Sequence, residues 1–193
     1  MKKYLFLDRG LFNGRYMTNA KVELASIQKE GTVFFREDFF ADPPRKWEVR
    51  YDNGYPNVLY DSKEKIYRCY YTLFIHDRDS ENTPLKERAA KTYVPGSDRV
   101  TALCYACSTD GIHWEKPELG LVDFKGNKRN NILYAYVHGT GVFLDEEEPD
   151  PNRRYKLVTK VDYAPGCGYM AVGFSADGIH FGELKKWTGG QPR

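Results

Sequence analysis

Apolar and polar residues alternate along short stretches of this chain, and acidic or glycine-containing turns separate the stretches. Alternation is clearest in Val100 to Cys107 and in Tyr169 to Phe174, where β-branched and aromatic residues are frequent. A period of two places side chains on opposite faces of a β-strand. Sustained i, i+3, i+4, i+7 apolar spacing is missing from the sequence. The pattern predicts an all-β protein with little helix, and Leu85 to Lys91 is its most helix-permissive segment.

A heptapeptide containing Asp-Gly-Ile-His occurs twice, from Ser108 to Trp114 and from Ser175 to Phe181. Upstream, the apolar segment Val58 to Asp61 is echoed by Val142 to Asp145, and a tyrosine followed by a basic residue comes after each. Asp-Gly after an alternating run is a strong hairpin signal. Repeated meanders of short antiparallel strands are typical of β-propeller blades.

The chain of 193 residues has room for two such units and part of a third, whereas closed propellers carry about four to eight blades. We therefore predict one domain over residues 1–193, a partial β-propeller of about two to three four-stranded antiparallel blades. The charged segment His76 to Asp98 is predicted to be an insertion loop, acting as a subunit contact or as a lid. Open blade edges favour pairing, so we expect either a truncated fragment or a homo-oligomer that completes the ring.

Composition argues against several classes of function. The 29 basic and 27 acidic residues are mixed along the chain and give a net charge of +2, so no basic stripe indicates nucleic-acid binding. The longest apolar run is far shorter than a membrane span. Asp8 and Arg9 interrupt the apolar segment near the first residue before it reaches signal-peptide length. We expect a cytoplasmic protein that binds neither nucleic acid nor membranes.

Cys104 and Cys107 have the C-x-x-C spacing of redox and zinc motifs. They lie within a predicted strand, in which residues three apart project from opposite faces. The sequence also lacks a second such pair, or a histidine pair, that would complete a tetrahedral site. We therefore expect no metal and no other cofactor, and we interpret these cysteines as buried free thiols.

The chain resembles glycoside-hydrolase-like proteins related to the invertase, levansucrase and arabinanase superfamily in five segments: Lys3–Asp8 (KYLFLD), Tyr55–Asp61, Ser108–Gly120, Asn130–Ile132 and Gly141–Asp145. The resemblance covers roughly Lys2 to Phe181. It implies a five-bladed β-propeller whose better-known members hydrolyse or transfer glycosyl units. It also implies an active site in the funnel at one end of the central channel.

Glycoside hydrolysis needs two carboxylates beside the scissile bond. The resemblance implies that the first comes from an Asp-Pro-Asn motif, which is Tyr55-Pro56-Asn57 here, so that Asp52 is the nearest carboxylate. The resemblance also implies that the second carboxylate comes from a position that His138 occupies in this chain. We predict Asp52 as base or nucleophile and His138 as acid. The predicted sugar-binding residues of the same funnel are Glu48, Arg50, Asn53, Tyr55 and Asn57.

Several interpretations remain open. The chain is a glycoside-hydrolase-like protein acting on or binding an oligosaccharide, a carbohydrate-binding or assembly module without catalysis, or an inactive fragment. The polar residues before the inner strands are equally consistent with capping strands and satisfying buried backbone groups. Residues that recur in each unit are interpreted as structural, and the aspartates among them as turn formers: Asp61, Asp145, Asp110 and Asp177.

Overall fold

The structure, a computed structural model, describes residues 26, 33, 36–51, 54–164 and 166–188. All of them except Ser26 belong to one unit that begins at Val33. Three features predicted from the sequence lie outside the described residues: the segment Lys3–Asp8, the proposed base Asp52, and Asn53.

The described residues form two antiparallel four-stranded sheets, ordered β1-β2-β3-β4 and β5-β6-β7-β8, so that consecutive strands are neighbours throughout. The strands are β1 (Asn57–Asp61), β2 (Ile66–His76), β3 (Val100–Ser108), β4 (Ile132–Ala135), β5 (Val137–Leu144), β6 (Tyr155–Ala164), β7 (Cys167–Ser175) and β8 (Lys185–Lys186). The helices are α1 (Arg78–Glu81), α2 (Leu85–Arg88) and a 3₁₀ turn (Pro151–Arg153). None of the described helices is long or apolar enough to span a membrane. The all-β prediction is confirmed, and the partial propeller stays a prediction.

The two sheets repeat the same local design. Tyr67 of β2 pairs with Ser108 of β3, and Tyr155 of β6 pairs with Ser175 of β7. Each sheet therefore has its tyrosine opposite the serine that opens the heptapeptide. The repeat seen in the sequence is thus a repeat of strand register, because the same residues occupy the same places in both meanders.

The heptapeptide forms the same hydrogen-bonded turn twice. Ser108 Oγ accepts from the Gly111 amide at 2.8 Å, and Asp110 Oδ1 accepts from the His113 amide at 2.7 Å. In the second copy the corresponding distances are 3.0 and 2.8 Å. Hydrogen bonds from the His113 side chain and backbone hold the pKa of Asp110 well below its usual range. The interpretation of the recurrent Asp110 and Asp177 as turn formers is confirmed.

The two sheets pack against each other around one apolar core. Tyr155 and Leu157 of β6 pack with Tyr70 and Leu103 of the first sheet, and Phe181 from the second heptapeptide joins them. Burial of such large side chains is the main source of stability at this interface. This packing places the same end of both sheets side by side, namely the end at which β1, β3 and β5 begin.

A second apolar cluster covers the opposite face of the first sheet. It contains Cys104 and Leu73, with Trp47 and Trp114 packed against it. Cys107, by contrast, packs against the cluster between the sheets. The two cysteines of the C-x-x-C spacing therefore project from opposite faces, as predicted. In the described part of the chain, no three His, Cys, Asp or Glu side chains group as a metal site.

Asp61, at the end of β1, joins the two sheets. Its side chain is inaccessible to solvent, and it accepts hydrogen bonds from the Tyr155 hydroxyl and from Arg154 Nη2, the latter at 3.3 Å. Its Oδ1 also accepts from the Lys63 and Glu64 amides, which confirms its predicted role in the turn. The equivalent Asp145 of the second sheet accepts from the Glu147 amide in the same way, at 3.2 Å.

Candidate functional site

A cavity of about 600 Å³ lies between the two sheets, at the end where β1, β3 and β5 begin. The first sheet contributes Phe74 and Thr101, the second contributes His138 and Asp162, and the 96–99 segment closes one side. Neither sheet could form this cavity by itself, because the lining is divided between them. Its volume falls in the range of about 300–1,000 Å³ that is usual for small-molecule sites.

Three exposed tyrosines line the cavity. They are Tyr55, Tyr136 and Tyr163, and these residues are 55%, 58% and 68% exposed. A tyrosine combines a flat apolar face with a polar hydroxyl, and buried or ligand-bound tyrosines use both. Three accessible rings around one cavity therefore provide stacking surfaces for a ligand with apolar faces and polar edges.

Two of these tyrosines adopt a left-handed backbone conformation. Tyr55 has φ of +42° and Tyr136 has φ of +61°, values that are uncommon for residues other than glycine. Tyr136 is the single residue between β4 and β5. Its amide donates to the Thr101 carbonyl, and its carbonyl accepts from the Asp162 amide, both at 2.8 Å. These two bonds, one to each sheet, hold Tyr136 in its strained conformation at the cavity.

His138 and Asp162 form a dyad on the wall built by β5 and β6. The distance from His138 Nδ1 to Asp162 Oδ2 is 2.5 Å. Lys160 Nζ lies 3.3 Å from the other oxygen of the same carboxylate. Among the described residues His138 Nε2 has no hydrogen-bond partner. The second ring nitrogen of this half-buried histidine is thus available to a ligand.

Asp98, the last residue of the insertion, and its neighbour Arg99 form another wall of the cavity. Asp98 Oδ2 lies 2.9 Å from Arg78 Nη2 and 3.5 Å from His76 Nε2. Its own backbone amide, together with Arg78 and His76, lowers the pKa of the Asp98 carboxyl despite some desolvation. Asp98 is therefore a permanently ionised group at neutral pH.

The structure brings together two of the residues predicted from the sequence, since Tyr55 and His138 both line the cavity. Asn57 lies next to it as a support. Its Oδ1 accepts from the Val142 amide at 2.6 Å, and its Nδ2 donates to the Tyr55 carbonyl at 3.0 Å. Asn57 thereby connects β1 to β5 and fixes the turn that presents the Tyr55 ring.

Glu48 and Arg50 do not line this cavity. Glu48 is completely buried and pairs with Lys116 Nζ at 2.6 Å, and burial raises the pKa of its carboxyl although the Lys116 charge opposes that shift. The Arg50 guanidinium lies 3.7 Å from the centre of the Tyr93 ring. Both side chains make contacts within the protein itself.

Sequence reasoning missed most of the polar lining, namely Asp98, Arg99, Lys160 and Asp162, and three of its four aromatic residues, namely Phe74, Tyr136 and Tyr163. The sequence carried a signal for two of these residues, Lys160 and Asp162. Lys160 is paired with His138 across β5 and β6, so a hairpin register drawn between the two strands would have placed Lys160 beside the histidine and Asp162 close by. The 96–99 wall had no such signal, because its position depends on the path of the insertion.

We compared the chain with protein-family models, with curated proteins and with solved structures, and none of the three gave a match. The resemblance to glycoside-hydrolase-like propellers therefore stays a prediction.

Proposed function

We propose that this chain binds a carbohydrate in the cavity between its two sheets. The observation that carries the proposal is the set of three exposed tyrosine rings around a space of about 600 Å³. A sugar ring has apolar C–H faces that stack on aromatic rings and hydroxyls that need hydrogen-bond partners. His138 and Lys160 supply polar groups beside the rings.

Binding is better supported than hydrolysis. Two carboxylates line the cavity, Asp98 and Asp162, which is the type of pair that glycoside hydrolysis uses. One member of such a pair must hold a proton near neutral pH in order to protonate the leaving group. Asp98 has a lowered pKa, and Asp162 is paired with both His138 and Lys160. We therefore expect saccharide binding without release of reducing ends.

The proposal can be tested by isothermal titration calorimetry and saturation-transfer NMR against a panel of oligosaccharides. Tyr163→Ala removes one cavity ring, and Tyr60→Ala is its matched control. Both tyrosines are exposed and both contact a neighbouring tyrosine, with ring centres 6.0 Å apart for Tyr163 and Tyr169, and 4.7 Å for Tyr60 and Tyr67. Only Tyr163 lines the cavity.

We expect Tyr163→Ala to weaken binding about tenfold, equivalent to about 1.4 kcal/mol, and Tyr60→Ala to leave it unchanged. Equal losses in the two variants, or no saccharide bound by the unmodified chain, would contradict the proposal. Release of reducing ends that Asp162→Asn abolishes would instead show that the chain is a hydrolase.

A further inference from the structure

The two carboxylates of the cavity are already neutralised by neighbouring bases. Asp98 is paired with Arg78 and His76, at 2.9 and 3.5 Å. Asp162 is paired with His138 at 2.5 Å and with Lys160 at 3.3 Å. Neither carboxylate is therefore left to compensate a further positive charge in the lining.

Arg99 is that further charge. Its Nε donates to the Gly96 carbonyl at 3.0 Å, its Nη1 donates to the Tyr93 hydroxyl at 3.3 Å, and its guanidinium lies 4.8 Å from the centre of the Phe74 ring. All three partners are electrically neutral. No described carboxylate lies within ion-pair distance of Arg99.

These contacts orient the guanidinium without neutralising it. A planar guanidinium presents paired N–H donors in a fixed fork that matches a carboxylate or a sulfate. The ring of Phe74 and the Gly96 carbonyl limit the orientations of the side chain, so less conformational entropy is lost when an anion binds.

We infer that the saccharide of this cavity is acidic and that Arg99 binds its anionic group, a carboxylate or a sulfate ester. The inference rests on the proposed carbohydrate binding and names its substrate class. Arg99 is a specificity-determining residue in this view. It contributes to selection of the anion, while the tyrosine rings bind the sugar face whether or not the sugar is charged.

The test uses sugar pairs that differ in charge. Trigalacturonic acid is compared with its neutral methyl ester, and galactose 6-sulfate with galactose, by titration calorimetry at low salt. The variant is Arg99→Gln. Its matched control is Arg153→Gln, because Arg153 also stacks on a phenylalanine, 4.3 Å from the centre of the Phe174 ring, but does not line the cavity.

We expect the unmodified chain to prefer one of the acidic sugars over its neutral partner by about tenfold or more, and to lose that preference at high salt. Preference for the acid over its ester assigns a carboxylate, and preference for the sulfated sugar assigns a sulfate. Arg99→Gln should remove the preference, whereas Arg153→Gln should retain it. Equal affinities within both pairs, or a preference that survives Arg99→Gln, would overturn the inference while the proposed sugar binding stands. If neither neutral nor acidic sugars bind, both fail.

Discussion

The buried carboxylate of Asp61 offers a test of how the two sheets are joined. Asp61→Asn keeps the shape of the side chain and one of its oxygens, so the turn bonds to the Lys63 and Glu64 amides can persist. It removes the negative charge opposite Arg154, whose side chain is only 11% exposed. It also replaces an acceptor of the Tyr155 hydroxyl with an N–H donor, if the amide nitrogen takes the position of Oδ2.

The expected cost follows from these contacts. Removing one partner of a buried ion pair destabilises a protein by about 3–5 kcal/mol, because the remaining charge is left without compensation. Arg154 retains a little access to water, which moves the estimate to the lower end. We expect Asp61→Asn to lower the free energy of unfolding by about 3 kcal/mol.

The repeat supplies a matched control. Asp145 occupies the equivalent place in the second sheet, but its carboxylate is 29% exposed and pairs with a lysine that is equally accessible, Lys156. Ion pairs that remain in contact with solvent contribute little to stability. Asp145→Asn should therefore destabilise the protein far less than the same change at Asp61.

Guanidinium unfolding at pH 7 measures both variants. With a slope of about 4 kcal/mol per molar, the Asp61→Asn midpoint should fall by about 0.7 M. The slope itself should stay the same, since the folded surface does not change. Equal midpoint shifts for Asp61→Asn and Asp145→Asn would refute the assignment of Asp61 as an inter-sheet contact.

The pH dependence gives a second arm of the same test. Burial alone would raise the pKa of Asp61, but hydrogen bonds from Tyr155 and from the Glu64 and Lys63 amides, with the Arg154 charge, hold it below its usual value of 3.8. A lowered pKa in the folded state means that the carboxylate stabilises the protein above about pH 4 and that this contribution is lost as the pH falls further. The stability difference from Asp61→Asn should therefore shrink below pH 4.

Two further predictions concern a crowded turn and the thiols. Gly178→Ala should lower the free energy of unfolding by about 3 kcal/mol or more, because φ is +73° and a new Cβ would lie 2.5 Å from the Tyr70 hydroxyl oxygen. Gly126→Ala, where φ is +83° and the surrounding space is open, should lower it by about 1 kcal/mol. Equal melting temperatures of the two variants would contradict this prediction. Among the thiols, exposed Cys167 should react with Ellman's reagent in the folded protein before buried Cys69, whose pKa burial raises to about 12. Labelling of Cys69 at the same rate as Cys167 would count against the fold.

Much of the fold was predictable because its signals are local. Alternation from Val100 to Cys107 anticipates β3, which spans Val100–Ser108. The Asp-Gly turns also follow from short-range chemistry, since Ser108, Asp110 and His113 bond to one another within six residues of chain. The roles of the recurrent aspartates in turns could therefore be predicted from the sequence without knowledge of the positions of the sheets.

The candidate site was only partly predictable for the opposite reason. Tyr55 and His138 were predicted from the resemblance, which matches both to motif positions before the inner strands. Their neighbour Asp162 was missed because it reaches His138 across a hairpin, with a register shift in β5 between His138 and Gly141. Glu48 was predicted to contact sugar, yet the structure buries it against Lys116, a partner distant in the sequence.

The sequence by itself determined the β-strands, the turns between them and the repetition of one meander, because these depend on the alternation of side chains and on hydrogen bonds between near neighbours. Only the tertiary structure decided which face of each sheet is covered and which polar residues share a cavity. Packing of the two sheets brings Tyr55, Arg99 and His138 to one end. That juxtaposition arises from burial of apolar surface between the sheets, a non-local and non-directional effect that no single segment of the chain encodes.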